Sequence, residues 1–200
     1  MKNILKSVIV ILFATILVNA QGTNYLKNLQ DKFSKIKDLS ADFSEHTYGK
    51  VDFEGKFLYK KENHLKFNLK NLVVVSDGET NWNYNKKQNK VIITKFDKEN
   101  PSAVSLERII DEFPSKCNIT ESKDNGVPLI ELKPKANSGI KAQFIKIWLN
   151  NENLIKKVSI KASSGTVLEF SFTNYKINPG LPESEFTFTP PEGSKVLDIR

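Results

Sequence analysis

The sequence predicts a mainly β fold of the α+β class, and three observations predict it. Apolar residues alternate with polar ones along most of the chain, Asp-Gly, Asn-Gly and Ser-Gly turn signals recur between the alternating stretches, and only two stretches carry the three-and-four spacing of a helix. Alternation of period two sends successive side chains to opposite faces of a sheet, so half-buried strands joined by short turns are expected.

The first element is a leader. Met1, Lys2 and Lys6 make a basic start, Val8 to Val18 an apolar run, and Val18-Asn19-Ala20 offers small residues for cleavage, which predicts a signal peptide over residues 1–20 and a single domain over 21–200. The run is interrupted by Ser7, Thr15 and Asn19 and falls short of the roughly 20 apolar residues that a spanning helix needs. Gln21, not cysteine, follows Ala20, so the mature chain has no thioether lipid acceptor there and is expected to be free in solution.

Next, Leu26, Leu29, Phe33 and Ile36 recur at spacings of three and four between polar residues, the pattern of one amphipathic helix. From Leu39 the period changes to two: Val51, Phe53, Gly55, Phe57 and Tyr59, then Leu65, Phe67 and Leu69. Strands follow over 72–76, 81–85, 90–95, 117–122, 129–133, 143–149, 155–162 and 167–176, separated by Asp77-Gly78, Asn125-Gly126 and Ser164-Gly165. The count is about ten or eleven antiparallel strands, read from pattern. A second apolar helix interrupts them: Pro101-Ser102 starts it, Val104, Leu106, Ile109, Ile110 and Phe113 fill it, and Pro114 stops it. A sheet this long must stack on another or curl into a barrel, and both need an inner face filled. If one helix can swing aside, that face becomes a seat for an apolar ligand.

Composition narrows the chemistry. Removing residues 1–20 takes away Lys2 and Lys6, leaving 28 basic against 23 acidic residues and a net charge of +5. The lysines are scattered and form no patch, which argues against a nucleic-acid ligand. His46, His64 and Cys117 are the strong candidates for catalysis or metal binding, and they share no motif spacing; a lone Cys117 allows no internal disulfide. Asp42 and His46 fall on one face of a strand, yet nothing completes a catalytic set, so no catalytic residue, metal or cofactor is expected. Asn118-Ile119-Thr120 matches a glycosylation sequon, a triplet frequent by chance. The abundant aromatics, 13 Phe, 5 Tyr and 2 Trp, fall mostly on alternating strand faces, where core packing is their default role.

Four blocks in order resemble one family. They are Gly55-Lys56-Phe57-Leu58-Tyr59-Lys60-Lys61 with Leu65 and Phe67; Val75-Ser76-Asp77-Gly78 with Trp82 and Tyr84-Asn85; Leu132-Lys133-Pro134-Lys135; and Phe186-Thr187-Phe188-Thr189-Pro190-Pro191-Glu192-Gly193. Together they resemble the periplasmic outer-membrane lipoprotein carrier proteins, the LolA family. The resemblance implies a strongly curved, half-closed antiparallel β-barrel of roughly 11 strands, with helices as a lid over an apolar cavity. It implies a monomeric periplasmic chaperone, not an enzyme, that takes lipoprotein acyl chains from an ATP-driven inner-membrane release complex to an outer-membrane lipoprotein receptor.

Carried onto this chain, the resemblance makes Phe57, Tyr59, Phe67, Leu69, Val73, Val75, Trp82 and Tyr84 the cavity candidates, although adjacent strand residues cannot all face inward. It makes Val104, Leu106, Ile109, Ile110 and Phe113 the lid and Lys61, with Lys60 beside it, the latch. The family pattern at the latch is Arg-Pro; here it is Lys61-Glu62, a point charge in place of a planar fork of donors. The receptor of the same system would carry a lipid-anchored cysteine where this chain has Gln21. A periplasmic binder or sensor of another amphiphile, glycolipid or phospholipid, is the alternative on the same scaffold.

Overall fold

The computed structural model describes residues 23–47, 49–96 and 106–200, so the predicted signal peptide and the lid position Val104 lie outside the described residues. Helix α1 (Tyr25–Ser34) is followed by β1 (Asp38–Thr47), β2 (Lys50–Lys60), β3 (His64–Leu69), β4 (Leu72–Asp77), β5 (Thr80–Asn85) and β6 (Lys90–Lys95). Two tight helical turns, Arg108–Glu112 of π type and Phe113–Lys116 of 3-10 type, lead into β7 (Cys117–Asp124), β8 (Val127–Pro134), β9 (Ala142–Leu149), β10 (Ile155–Ala162) and β11 (Val167–Ile177). A 3-10 turn (Glu183–Phe186) and a short β12 (Lys195–Asp198) complete the chain.

All twelve strands join one sheet in the order β12-β6-β5-β4-β3-β2-β1-β11-β10-β9-β8-β7, open at β12 and β7. Every pairing is antiparallel except that of β12 with β6. Cross-strand partners share a face, and the rows Leu39–Tyr59–Leu65 and Ala41–Phe57–Phe67–Val74 lie on the side that α1 covers, the inner face. That face continues through Phe172 and Phe170 to Val158, Ile147 and Ile130. Phe43, Phe57 and Phe67 pack with ring centroids 4.8 Å apart at each neighbour contact to Phe67, and Phe172 sits 5.5 Å from both Phe43 and Phe57.

Two glycines of the sequence blocks have a steric cause. A Cβ on Gly55 would fall 2.1 Å from the Asn68 carbonyl oxygen, so β2 and β3 approach there only because the side chain is missing. Gly78 has φ +88° and would clash with the Glu62 carbonyl at 2.4 Å. The turn around it is held by Asp77, whose Oδ1 accepts the N–H groups of Glu79 (2.9 Å) and Thr80 (2.7 Å), and by Ser76 Oγ, which accepts that of Gly78 (3.2 Å). Thus Ser76-Asp77-Gly78 is turn chemistry.

Three details differ from expectation. Pro114 does not stop the second helical segment: it occupies the opening turn of the 3-10 stretch, where its missing N–H is not needed, and the chain coils on to Lys116. Ile36 falls beyond α1 yet is buried, plugging the joint to β1. And β12, whose residues are all exposed, carries no alternation that could have announced it.

Candidate functional site

The middle of the inner face is apolar from Val74 of β4 across to Ile130 of β8, and α1 lies across it. Leu29 and Phe33 point down from the helix, with the Phe33 ring 5.2 Å from that of Tyr59. Beside α1, Leu106, Ile109 and Ile110 are buried in the same core, while Phe113 is half-buried beneath the Arg108 guanidinium at 5.1 Å. Gln30 Nε2 donates to the Ile110 carbonyl at 3.0 Å and ties the two helical pieces together. The four lid positions that are described therefore converge on one place.

The eight cavity candidates do not. Phe57, Tyr59, Phe67 and Leu69 belong to the inner face. Val73, Val75, Trp82 and Tyr84 occupy the outer face, since Val75 pairs with Trp82 and Val73 with Tyr84, out of step with the inner row at Val74. There they meet the C-terminal segment: the Phe188 ring lies tilted 5.6 Å from that of Tyr84, and Phe186, fully buried, stands edge-on to His64 at 5.6 Å. Glu185 pairs with Lys66 at 2.7 Å and Glu183 with Lys60, fastening the segment.

The two latch candidates also part. Lys61 Nζ donates to the Ser34 carbonyl, the last of α1, at 2.9 Å. Lys60 turns to the outer face, where it meets Glu183 and the Leu181 carbonyl (3.3 Å). The Lys61-Glu62 departure has a backbone counterpart: Glu62 has φ +69°, which a proline ring cannot adopt.

Polar groups at the rim were not legible in the sequence. Glu121 of β7 accepts the N–H groups of Tyr25 and Leu26, both at 2.9 Å. Tyr59 donates its phenol to Glu107 at 2.6 Å, so this residue contributes a lock as well as apolar surface. Burial first, and then the Glu107 carboxylate, push the Tyr59 phenol well above its usual range. Asp111 reaches solvent, but its carboxyl is raised by the packed wall behind it and secondarily by Glu107. These contacts link residues tens of positions apart, so no local spacing announces them.

Away from α1, at the β1–β2 hairpin end, the inner face loses its cover. Ile160 and Leu168 pair there and are half-buried, and Phe53 is 38 % exposed next to Glu45. Burial, and then Asp52, raise the Glu45 carboxyl. The face is thus filled where the helices lie and half-open where they end.

Little here suits bond-making chemistry. Asp42 is engaged by Lys56 and by Asn174 (2.6 Å), His46 by Ser44 Oγ (3.0 Å), and Cys117 is buried with its thiol pushed up by that burial. Among the described residues no group of three or more His, Cys, Asp or Glu could hold a metal, and no helix is long and apolar enough to cross a membrane. What the arrangement can do is shelter apolar matter under a helix held by polar ends.

Comparison with known proteins agrees. Residues 34–189 match the family model described as outer membrane lipoprotein carrier protein LolA. The chain is 28 % identical over 186 residues to the outer-membrane lipoprotein carrier protein of Proteus mirabilis (strain HI4320), covering 87 % of this chain and 88 % of that one. It is 23 % identical to the protein of the same name from Francisella tularensis subsp. novicida (strain U112), covering 97 % and 98 %. In three dimensions it resembles an uncharacterized conserved protein from Thermus thermophilus, with a TM-score of 0.57 at 9 % identity over 88 % of this chain and 98 % of the other.

Proposed function

The chain belongs to the LolA family of outer membrane lipoprotein carrier proteins, and from that premise we propose that it shelters lipoprotein acyl chains on its inner face and carries them through the periplasm. The observation that carries this reading is the apolar inner face covered by α1 and the Leu106–Phe113 segment, both fastened by a few polar contacts at the rim. Burying a methylene is worth about 0.8 kcal/mol, so a long acyl chain in water carries a penalty on the order of 10 kcal/mol and needs a shielded seat. Rim hydrogen bonds contribute only about 1 kcal/mol each, so the cover can be displaced and can return.

In this reading Phe57, Tyr59, Phe67 and Leu69 floor the seat, and Leu106, Ile109, Ile110 and Phe113 form part of its lid. Lys61 favours the closed form by holding the Ser34 end of α1. The chain receives its cargo from an ATP-driven inner-membrane release complex and yields it to an outer-membrane receptor, acting as a chaperone with no covalent step.

The test is an ATP-dependent release assay with lipoprotein-loaded inner membranes, followed by mass spectrometry of the complex. Transfer of an acylated protein to this chain is expected. Recovery of free phospholipid or glycolipid alone would replace the lipoprotein reading by that of another amphiphile carrier.

A further inference from the structure

Helix α1 is fastened unequally at its two ends, and the difference gives Glu121 a role. At the C-terminal end the chain runs straight into β1. Ile36 is buried there, Asn178 Oδ1 accepts the Lys37 N–H at 2.7 Å, and its Nδ2 reaches the Lys35 carbonyl at 3.4 Å. Moving that end would tear the start of β1 from the sheet.

At the N-terminal end no local side chain caps the helix, since Asn24 makes no capping bond. The cap comes from Glu121 on the open edge strand β7, 96 and 95 residues away, which accepts the Tyr25 and Leu26 N–H groups at 2.9 Å each. The first N–H groups of a helix have no partner within it and carry partial positive charge, so a carboxylate satisfies both needs. Because both partners are only half-buried, water can take over each bond when the helix lifts.

We propose that Glu121 is the release point of the lid: α1 pivots at Lys35–Lys37, its Tyr25 end leaves β7, and the inner face opens from that side to a long apolar chain. The proposal rests on the carrier reading and adds which end opens and what holds it shut. Leu29 and Phe33 are buried when α1 is down, so the open form is a minor state of the empty protein, and apparent affinity scales with the open fraction.

The experiment uses the purified protein as wild type, Glu121→Ala and Glu121→Gln, with a fluorescent long-chain fatty acid as probe. Stopped-flow binding and hydrogen exchange are read on each. The alanine variant is expected to bind faster and about five- to thirtyfold more tightly, the range that losing one good cap opens. Glutamine, which keeps an acceptor but no charge, falls between. Exchange protection drops over residues 25–34 while β8–β10 keep theirs. Wild-type rates and affinities in both variants overturn the role of Glu121 and leave carriage standing, whereas a probe that binds none of the three proteins overturns carriage itself. Loss of protection across the sheet as well as α1 overturns the release point in favour of a general structural role. Should the alanine variant fail to fold, the glutamine variant decides by the same criteria.

Discussion

Lys61 donates its ammonium to the main-chain carbonyl of Ser34, 2.9 Å away, joining the end of β2 to the last residue of α1. Its neighbour Lys60 makes no such contact and serves the C-terminal segment instead. In the carrier reading the bond is lost when α1 lifts and regained when it returns, so it favours an empty protein over a loaded one. Lys61→Leu is therefore expected to cost no more than about 1 kcal/mol in urea unfolding, as exposed pairs do, yet to retain cargo. Loading proceeds and hand-over to the acceptor membrane stops; transfer at the wild-type rate would reject the latch.

Removing the Tyr59 hydroxyl leaves Glu107 without its phenol partner in a partly buried site. Tyr59→Phe should destabilise the protein by about 1–3 kcal/mol, the cost of orphaning such an acceptor. Added apolar surface on the inner face should leave fatty-acid binding intact or improved. Chemical denaturation and probe titration on the same samples check both halves.

Strand parity makes a paired prediction. Phe67→Gln puts an amide on the inner face and should weaken probe binding about tenfold, equivalent to 1.4 kcal/mol. Tyr84→Gln alters the outer face, where Phe188 packs, and should leave binding within twofold of wild type, on the order of 0.5 kcal/mol. Equal losses in the two variants would contradict the division of faces.

Asp111 bears on pH. Its carboxyl is raised in the folded protein, by burial and then by Glu107, so folding favours the protonated form. No penalty exists below the unfolded value of 3.8; it grows as pH rises from there toward the raised folded value and is complete above that. Asp111→Asn should accordingly raise the melting temperature at neutral pH and converge with wild type below about pH 4. The gain stays under about 2–4 °C, the shift that 1 kcal/mol produces in a domain of this size, since solvent screens the group.

Gly55→Ala forces a methyl against the Asn68 carbonyl oxygen at 2.1 Å, backbone that cannot step aside as a side-chain end could. A loss of about 1–3 kcal/mol or more is expected in urea unfolding. An unchanged midpoint would mean that β2 and β3 separate more easily than their register suggests.

How much of this was legible depends on the range of the signal. Alternation marked β2 through β11, and three-and-four spacing marked α1, because both are local periods. The split of the cavity candidates was not legible: Val73 and Phe67 sit in equally regular strands, and only the β3–β4 register shows that they face opposite ways. The Phe186 to Gly193 block was visible as residues but not as an outer-face cover, since its partners His64, Tyr84 and Asn89 lie about a hundred positions earlier. Glu121 was invisible for the same reason, one of two acids in a mostly exposed strand.

The C-terminal cover makes the two halves of the sheet mechanically unlike. Strands β3 and β4 are clamped between the inner core and the outer-face Phe186–Phe188 packing, which extends to Tyr84 of β5, with β12 laid along β6 and Asn89 tied to Gly193 at 3.1 Å. Strands β8 to β11 have a dense core on one side only; the other presents ion pairs such as Glu131 with Lys146 and Lys157 with Glu169. The first half behaves as an anvil and the second as a leaf spring. In the carrier reading, a bulky guest would be accommodated by the singly packed β8–β11 wall, and the guest's bulk would determine how far that wall bows.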